Sequence, residues 1–167
     1  MAHCVDTLKE WTGTTNATIL FDSTTDEFTH DGVFQKLRGK KNVALIATSD
    51  GKDVFGAFYS VAVTQQRKEF RDPTMFVFCF ECHGRCKTPH RAAVWEDVSK
   101  WASVEFYTGP NAFVHFTVFN RGSLYLGTDK TTSASPNLSL AFRGIANDTF
   151  TGRTQFRCVR LVAVALS

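Results

Sequence analysis

No stretch of the chain is apolar for long enough to form a membrane-spanning helix, which needs roughly 20 consecutive apolar residues. The first residues, MAHCVDTLKEW, also lack the continuous apolar segment at the centre of a secretory signal peptide. We therefore expect a protein that is neither secreted nor inserted into a membrane, and that works in the cytoplasm or the nucleus.

The sequence motifs of common enzyme classes are missing as well. The chain contains no Gly-x-Ser-x-Gly, no phosphate-binding glycine loop and no His-Glu-x-x-His. The acidic segment 22–32 lacks the alternating ligands of a calcium loop. His115 stands between aromatic residues, which favours a histidine of the interior or of a sheet face over a general base. We predict no catalytic residues and no enzymatic activity.

Charge and cysteine are both modest. A formal net charge of +3 is not that of a dedicated nucleic-acid binder, although it leaves nucleic-acid binding open. Five cysteines, an odd number in a reducing compartment, do not suggest a disulfide framework. Phenylalanine, by contrast, occurs sixteen times, and such flat, rigid side chains suit the interior of a sheet-rich fold.

Nine short apolar runs, separated by turn residues, predict a fold of about eight strands. They are 17–21, the two halves of a hairpin over 42–63, 74–80, 104–107, 112–119, 123–127, 138–142 and 155–166. Asp50 and Gly51 form the hairpin turn, and Gly56 needs a close backbone or aromatic neighbour. A helix is predicted over 31–39, capped by Asp31 and ended by Gly39.

A second short helix is predicted over 89–101 from the spacing of Val94, Val98 and Trp101. Segments 64–72 and 129–137 are predicted to be exposed loops. The expected fold is α+β and strand-dominated, a sandwich of two antiparallel sheets flanked by one or two short helices. The predicted aromatic core comprises Phe21, Phe34, Phe55, Phe58, Phe76, Phe78, Phe113 and Phe116. Residues 1–16 are interpreted as an N-terminal lead-in and 17–167 as one domain.

Several of these segments, taken in order, resemble the TLDc domain of oxidation-resistance proteins. The resemblance rests on 19–60, on TMFVFCF (74–80), on YTGPNAFVHF (107–116), on GSLYLGTD (122–129) and on the last strand. It covers roughly residues 17–166. Two features identify a divergent member: FNRG (119–122) has a single glycine where the family has several, and Val162, with Arg160 as the nearest charge, stands where the family has a glutamate.

The resemblance implies a non-enzymatic protein-interaction module with a role in the oxidative-stress response. It also implies binding to the peripheral cytosolic sector of the vacuolar proton pump (V-ATPase). It supplies no agreed active site, and it indicates no particular oligomeric state.

The segment FCFECHGRCKTPH (78–90) is the strongest candidate for a chemical centre. Cys79, Cys82 and His83 have the spacing of a haem attachment sequence, but Cys79 lies within a predicted strand. Cys79, Cys82, Cys86 and His90 could instead bind zinc, although their spacing matches no common zinc motif. We expect no cofactor and keep zinc as an alternative.

Two further interpretations concern the same cysteines. Arg85 and Lys87 are neighbours that could lower the pKa of Cys82 and Cys86 and make them redox-active. In the simplest interpretation, Cys79 fills the core and the other two are unreactive loop thiols.

Basic residues form two short clusters, Arg38, Lys40 and Lys41 in the first and Arg67 and Lys68 in the second. The first cluster closes the predicted helix, where cations offset the helix dipole. If both clusters lie on one face, they could bind an acidic protein partner or, in a nucleic-acid-binding regulator, a phosphate backbone.

Overall fold

A computed structural model describes residues 1–108, 112–118 and 121–167. The helices are α1 (Ala2–Thr12), α2 (His30–Leu37) and α3 (Leu138–Ala141), and Glu96–Trp101 forms a 3₁₀ helix. The strands are β1 (Ala17–Asp22), β2 (Val43–Ser49), β3 (Val54–Tyr59), β4 (Phe70–Arg71), β5 (Phe76–Glu81), β6 (His90–Ala93), β7 (Ala102–Phe106), β8 (Val114–Val118), β9 (Arg121–Leu126), β10 (Ser133–Ala134), β11 (Gln155–Phe156) and β12 (Cys158–Leu166).

These strands form two six-stranded antiparallel sheets, which confirms the predicted sandwich. The first sheet has the order β1-β12-β2-β3-β5-β6 and the second the order β11-β10-β9-β8-β7-β4. Among the described residues, no helix is long and apolar enough to cross a bilayer. The end of the predicted strand 112–119 and part of the turn before it lie outside the described residues.

The predicted hairpin over 42–63 is present as β2 and β3. The strands pair from Val43 with Tyr59 to Thr48 with Val54, and Asp50–Asp53 make the turn. Gly56 lies in the middle of β3, where a Cβ atom would meet the carbonyl oxygen of Leu45 at 1.8 Å and the Phe78 ring at 2.8 Å. Only glycine fits this close approach, as the sequence predicts.

All eight phenylalanines of the predicted core are buried, but they divide between two clusters on opposite sides of the first sheet. Five of them pack between the sheets: Phe21, Phe34, Phe55, Phe113 and Phe116. Phe58, Phe76 and Phe78 instead face outward, because alternate residues of a strand point to opposite sides. That outer face packs against Leu8 and Trp11 of α1.

Helix α1 was not predicted within the lead-in. Its apolar face is narrow, and its end is set by Gly13 in the left-handed conformation at φ 67°. The Trp11 ring stacks on Phe80 at a centroid distance of 5.8 Å, and Arg91 donates a hydrogen bond to the Trp11 carbonyl oxygen at 3.0 Å. The helix therefore covers apolar surface that the sheet would otherwise expose to water.

Several predicted boundaries and elements were wrong. Thr29, not Asp31, caps α2, since its hydroxyl accepts a hydrogen bond from the Gly32 N–H at 3.0 Å. The segment 138–142 is largely the short helix α3 rather than a strand. The segment 89–101 is a strand in its first part and a 3₁₀ helix in its last. The predicted strand 155–166 is divided at Arg157 between β11 and β12 of different sheets.

Candidate functional site

A tight turn between β5 and β6 gathers the cysteines of the 78–90 segment. His83 and Gly84 both have positive φ values, 53° and 86°, and they reverse the chain so that Cys86 returns to Cys82. The Cys86 N–H donates a hydrogen bond to the Cys82 sulfur at 3.1 Å, and the two Sγ atoms lie 3.0 Å apart. The turn thus holds two sulfurs side by side.

Cys79 adds a third sulfur from the inner face of β5. The Sγ atoms of Cys79, Cys82 and Cys86 all lie within 4.8 Å of one another, and we call this set the thiol cluster. Cys79 and Cys82 are fully buried, whereas Cys86 is partly exposed. The chain therefore brings three soft ligands to one point beneath the surface.

The two histidines of the segment are placed differently. His90 lies directly opposite Cys79 in the β5–β6 pairing but does not belong to the thiol cluster. Its Nε2 atom is buried and has no hydrogen-bond partner in the described part of the chain. The Nδ1 atom of His83 contacts the Asp53 carboxylate at 2.9 Å. Buried Cys79 and Cys82 do not suit haem attachment, which needs both on an accessible segment.

Arg85 fastens the turn to the body of the domain. Its guanidinium donates hydrogen bonds to the carboxylate of Asp53 and to the carbonyl oxygens of Thr149 at 2.9 Å and Phe150 at 2.7 Å. Asp53 is buried in the turn of the β2–β3 hairpin. One cation thereby ties together the cysteine turn, the hairpin and the segment before β11.

The Asp53 carboxylate is kept ionised by its neighbours. Burial acts to raise its pKa, but hydrogen bonds from Ser49, His83 and Arg85 outweigh burial and lower the pKa below its ordinary value. The network therefore holds an ionised Asp53 carboxylate, paired with Arg85, beside the cysteine turn. Sequence inspection missed it, because Asp53 and Arg85 are brought together only by the pairing of β3 with β5.

Cys79 and Cys86 are poorly suited to act as free nucleophiles. Burial is the main cause that raises the pKa of Cys86, to about 11, and a hydrogen bond with Cys82 acts in the same direction. Arg85 lowers the pKa of Cys86, as the sequence suggests, but by less than burial raises it. Burial also raises the pKa of Cys79. Because the thiolate is the reactive form, the raised pKa values of Cys79 and Cys86 disfavour attack by these two thiols on an oxidant.

The two basic clusters lie on adjoining segments of the surface. We call them together the basic patch, which comprises Arg38, Lys40, Lys41, Arg67 and Lys68, all exposed. The Gly39 N–H donates a hydrogen bond to the Val63 carbonyl oxygen at 2.9 Å, and Arg38 Nε donates one to the Thr64 carbonyl oxygen at 3.1 Å. These bonds join the end of α2 to the start of the 64–68 segment.

A depression of about 550 Å³ runs along this junction. Its lining consists of Phe34, Gln35, Arg38, Thr64, Gln65 and Gln66. Arg67 Nε donates a hydrogen bond to the Thr108 hydroxyl at 2.7 Å, and the Lys68 ammonium lies 5.6 Å from the Phe70 ring centroid. Arg67 and Lys68 of the basic patch are therefore held by contacts with residues of the same chain that lie outside the patch.

His115 is a sheet-face residue of β8, as the sequence favours. It packs between the rings of Tyr107 and Tyr125, at centroid distances of 3.8 and 4.2 Å. Burial lowers its pKa to about 4.

The sequence departs from the family pattern at Val162 and at 119–122. The first position is buried, and the second lies partly outside the described residues. Val162 is buried in the first sheet between β1 and β2, so it offers no surface for a partner. Arg160 pairs with Asp22 at 3.1 Å. Residues 119 and 120 of FNRG lie outside the described residues, and Gly122 packs against the Tyr125 ring.

A family model described as the TLDc domain matches residues 2–156, from the start of α1 to the end of β11. A search of curated proteins found no match.

Proposed function

Because the chain belongs to the TLDc domain family, we propose that it is a non-enzymatic protein-interaction module of the oxidative-stress response. A rigid sandwich presents surface loops to a protein partner, and recognition is its whole activity. The partner proposed from the family resemblance is the peripheral cytosolic sector of the vacuolar proton pump.

The basic patch is the observation that supports this function. Five exposed cations stand on two segments that hydrogen-bond to each other, and neither 38–41 nor 64–68 contains an acidic residue. Phe34 and Leu37, at the end of α2, are buried in the core, so the charges stand on a fixed support. Such a surface steers and orients an acidic partner.

Charge reversal tests the proposal. One variant combines Arg38→Glu, Lys40→Glu and Lys41→Glu in the basic patch. A control variant carries the same change to glutamate at Lys87, Lys130 and Arg143, which are exposed elsewhere. The two variants therefore change the net charge of the chain by the same amount. Binding of each purified chain to the isolated pump sector is then measured at low and at physiological salt.

At about 0.2–1 kcal/mol per exposed charge contact, and with new repulsion added, we expect the patch variant to bind roughly 10- to 100-fold more weakly at low salt. The control variant should differ from the unmodified chain by less than about threefold. Equal weakening in both variants would show that net charge, not the patch, drives binding.

Nucleic-acid binding is the competing use of the same charges. If the chain bound oligonucleotides with a steep salt dependence, lost the binding in the patch variant and ignored the pump sector, the proposal would fail in favour of a nucleic-acid-binding regulator.

A further inference from the structure

We propose that the thiol cluster is a zinc site, in which Cys79, Cys82 and Cys86 supply three thiolate ligands and His90 the fourth. Neither the family assignment nor the proposed interaction surface requires such a site. It lies at the β5–β6 turn, and the basic patch uses none of its residues.

The distances between the sulfurs are close to those that zinc requires. Tetrahedral zinc with bonds of about 2.3 Å places its sulfur ligands about 3.8 Å apart. The Cys82 and Cys86 sulfurs are 3.0 Å apart, and no pair within the thiol cluster exceeds 4.8 Å. Small side-chain rotations therefore suffice to complete three of the four bonds.

The backbone of the turn is arranged to stabilise a thiolate. The Cys86 N–H points at the Cys82 sulfur, and a hydrogen bond to an ionised acceptor is stronger than one to a neutral acceptor. Metal binding displaces the thiol protons, so the ligands need no prior ionisation.

His90 supplies the independent observation that a ligand is missing. Its Nε2 atom is buried without a partner among the described residues, an arrangement that costs about 1–3 kcal/mol when it is left unsatisfied. Residues opposite each other in an antiparallel pair leave the same face, so the His90 ring emerges beside Cys79. Turning this ring toward the thiol cluster would satisfy the nitrogen and close the tetrahedron.

The first test is metal analysis of the full chain, purified under reducing conditions. We expect about one zinc per chain, the stoichiometry of a single four-ligand site. Cys82→Ser and Cys86→Ser should each lose the metal, and His90→Ala should weaken zinc binding at least tenfold. Cys4→Ser is the matched control, because Cys4 lies in α1 away from the thiol cluster, and it should retain the metal.

A second measurement uses the unmodified chain and so does not depend on whether a variant folds. After removal of zinc, cobalt(II) added to the unmodified chain should produce thiolate-to-metal charge-transfer absorption and the visible bands of a tetrahedral site. Absence of both metal and cobalt absorption from a chain with reduced thiols would overturn the proposal. A Cys82–Cys86 disulfide that persists in the chain purified under reducing conditions would also overturn the proposal. An unchanged zinc affinity in His90→Ala would overturn the assignment of the fourth ligand.

Discussion

Replacement of Arg85 by methionine tests whether one cation holds the cysteine turn in place. Arg85 contacts the Asp53 carboxylate and two backbone carbonyl oxygens. Asp53 is 2% exposed, and the Arg85 side chain is 29% exposed, so water screens one partner much more than the other. Methionine keeps the length of the aliphatic stem but removes every donor.

The magnitude follows from what is left unpaired. Removing one partner of a fully buried pair costs about 3–5 kcal/mol. The partial exposure of Arg85, and the hydrogen bonds that Asp53 keeps with Ser49 and His83, reduce this cost. We expect Arg85→Met to lower the free energy of unfolding by roughly 2–3 kcal/mol at pH 7. Urea denaturation in the presence of a chelator measures this without a contribution from metal.

The same hairpin turn provides a matched control. Arg153 pairs with Asp50 at 2.9 Å, but these side chains are 57% and 35% exposed. Arg153→Met should therefore cost no more than about 1 kcal/mol. Similar losses in the two variants, or a loss below about 1 kcal/mol in Arg85→Met, would refute the claim that Arg85 anchors the turn.

Acid should reduce the difference in stability between Arg85→Met and the unmodified chain. Because the folded-state pKa of Asp53 is depressed, its contribution to stability is present above the unfolded-state pKa of about 3.9 and is lost as the pH falls through the folded-state value. The gap between the two urea midpoints should therefore narrow at pH values below about 4, while the part that comes from the lost hydrogen bonds to the Thr149 and Phe150 carbonyl oxygens should remain. A difference that stayed constant across that range would contradict the electrostatic explanation.

Three further variants test the packing. Gly56→Ala should destabilise the fold by at least about 3 kcal/mol in urea denaturation, since its Cβ would lie 1.8 Å from the Leu45 carbonyl oxygen, and a milder loss would contradict the close approach. As the pH falls from about 6.5 to about 4, the free energy of unfolding of the unmodified chain should fall by roughly 1–2 kcal/mol, because the depressed pKa of His115 makes its protonation unfavourable in the folded state. The His115→Phe variant should lose this dependence on pH. Trp11→Ala should cost about 2–3 kcal/mol and speed hydrogen exchange in α1, because the ring stacks on Phe80; unchanged exchange would show that α1 does not depend on this contact.

Much of the sandwich could be predicted because its strands carry strong local signals. The hairpin over 42–63 combines apolar runs with an Asp-Gly turn, and the role of Gly56 followed from its place inside a strand. The short helix α3 could not be distinguished from a strand, since a run of five apolar and small residues shows no clear period. Likewise, the apolar pattern over 155–166 shows no interruption at Arg157, where the chain leaves the second sheet and enters the first.

Part of the candidate site could also be predicted, because its cysteines lie close together in the sequence. The sequence kept Cys79, Cys82 and Cys86 as zinc candidates only in an alternative interpretation, and the fold does bring their sulfurs together. The anchoring pair of Asp53 and Arg85 depends on contacts between residues far apart in the chain, which spacing cannot show.

Hydrogen exchange on the chain, alone and with the isolated pump sector, tests the central claim most directly. We predict slower amide exchange in 38–41 and 64–68 on binding, with little change at the cysteine turn. Protection confined to another surface, or no protection at a pump-sector concentration that saturates binding, would contradict recognition through the basic patch.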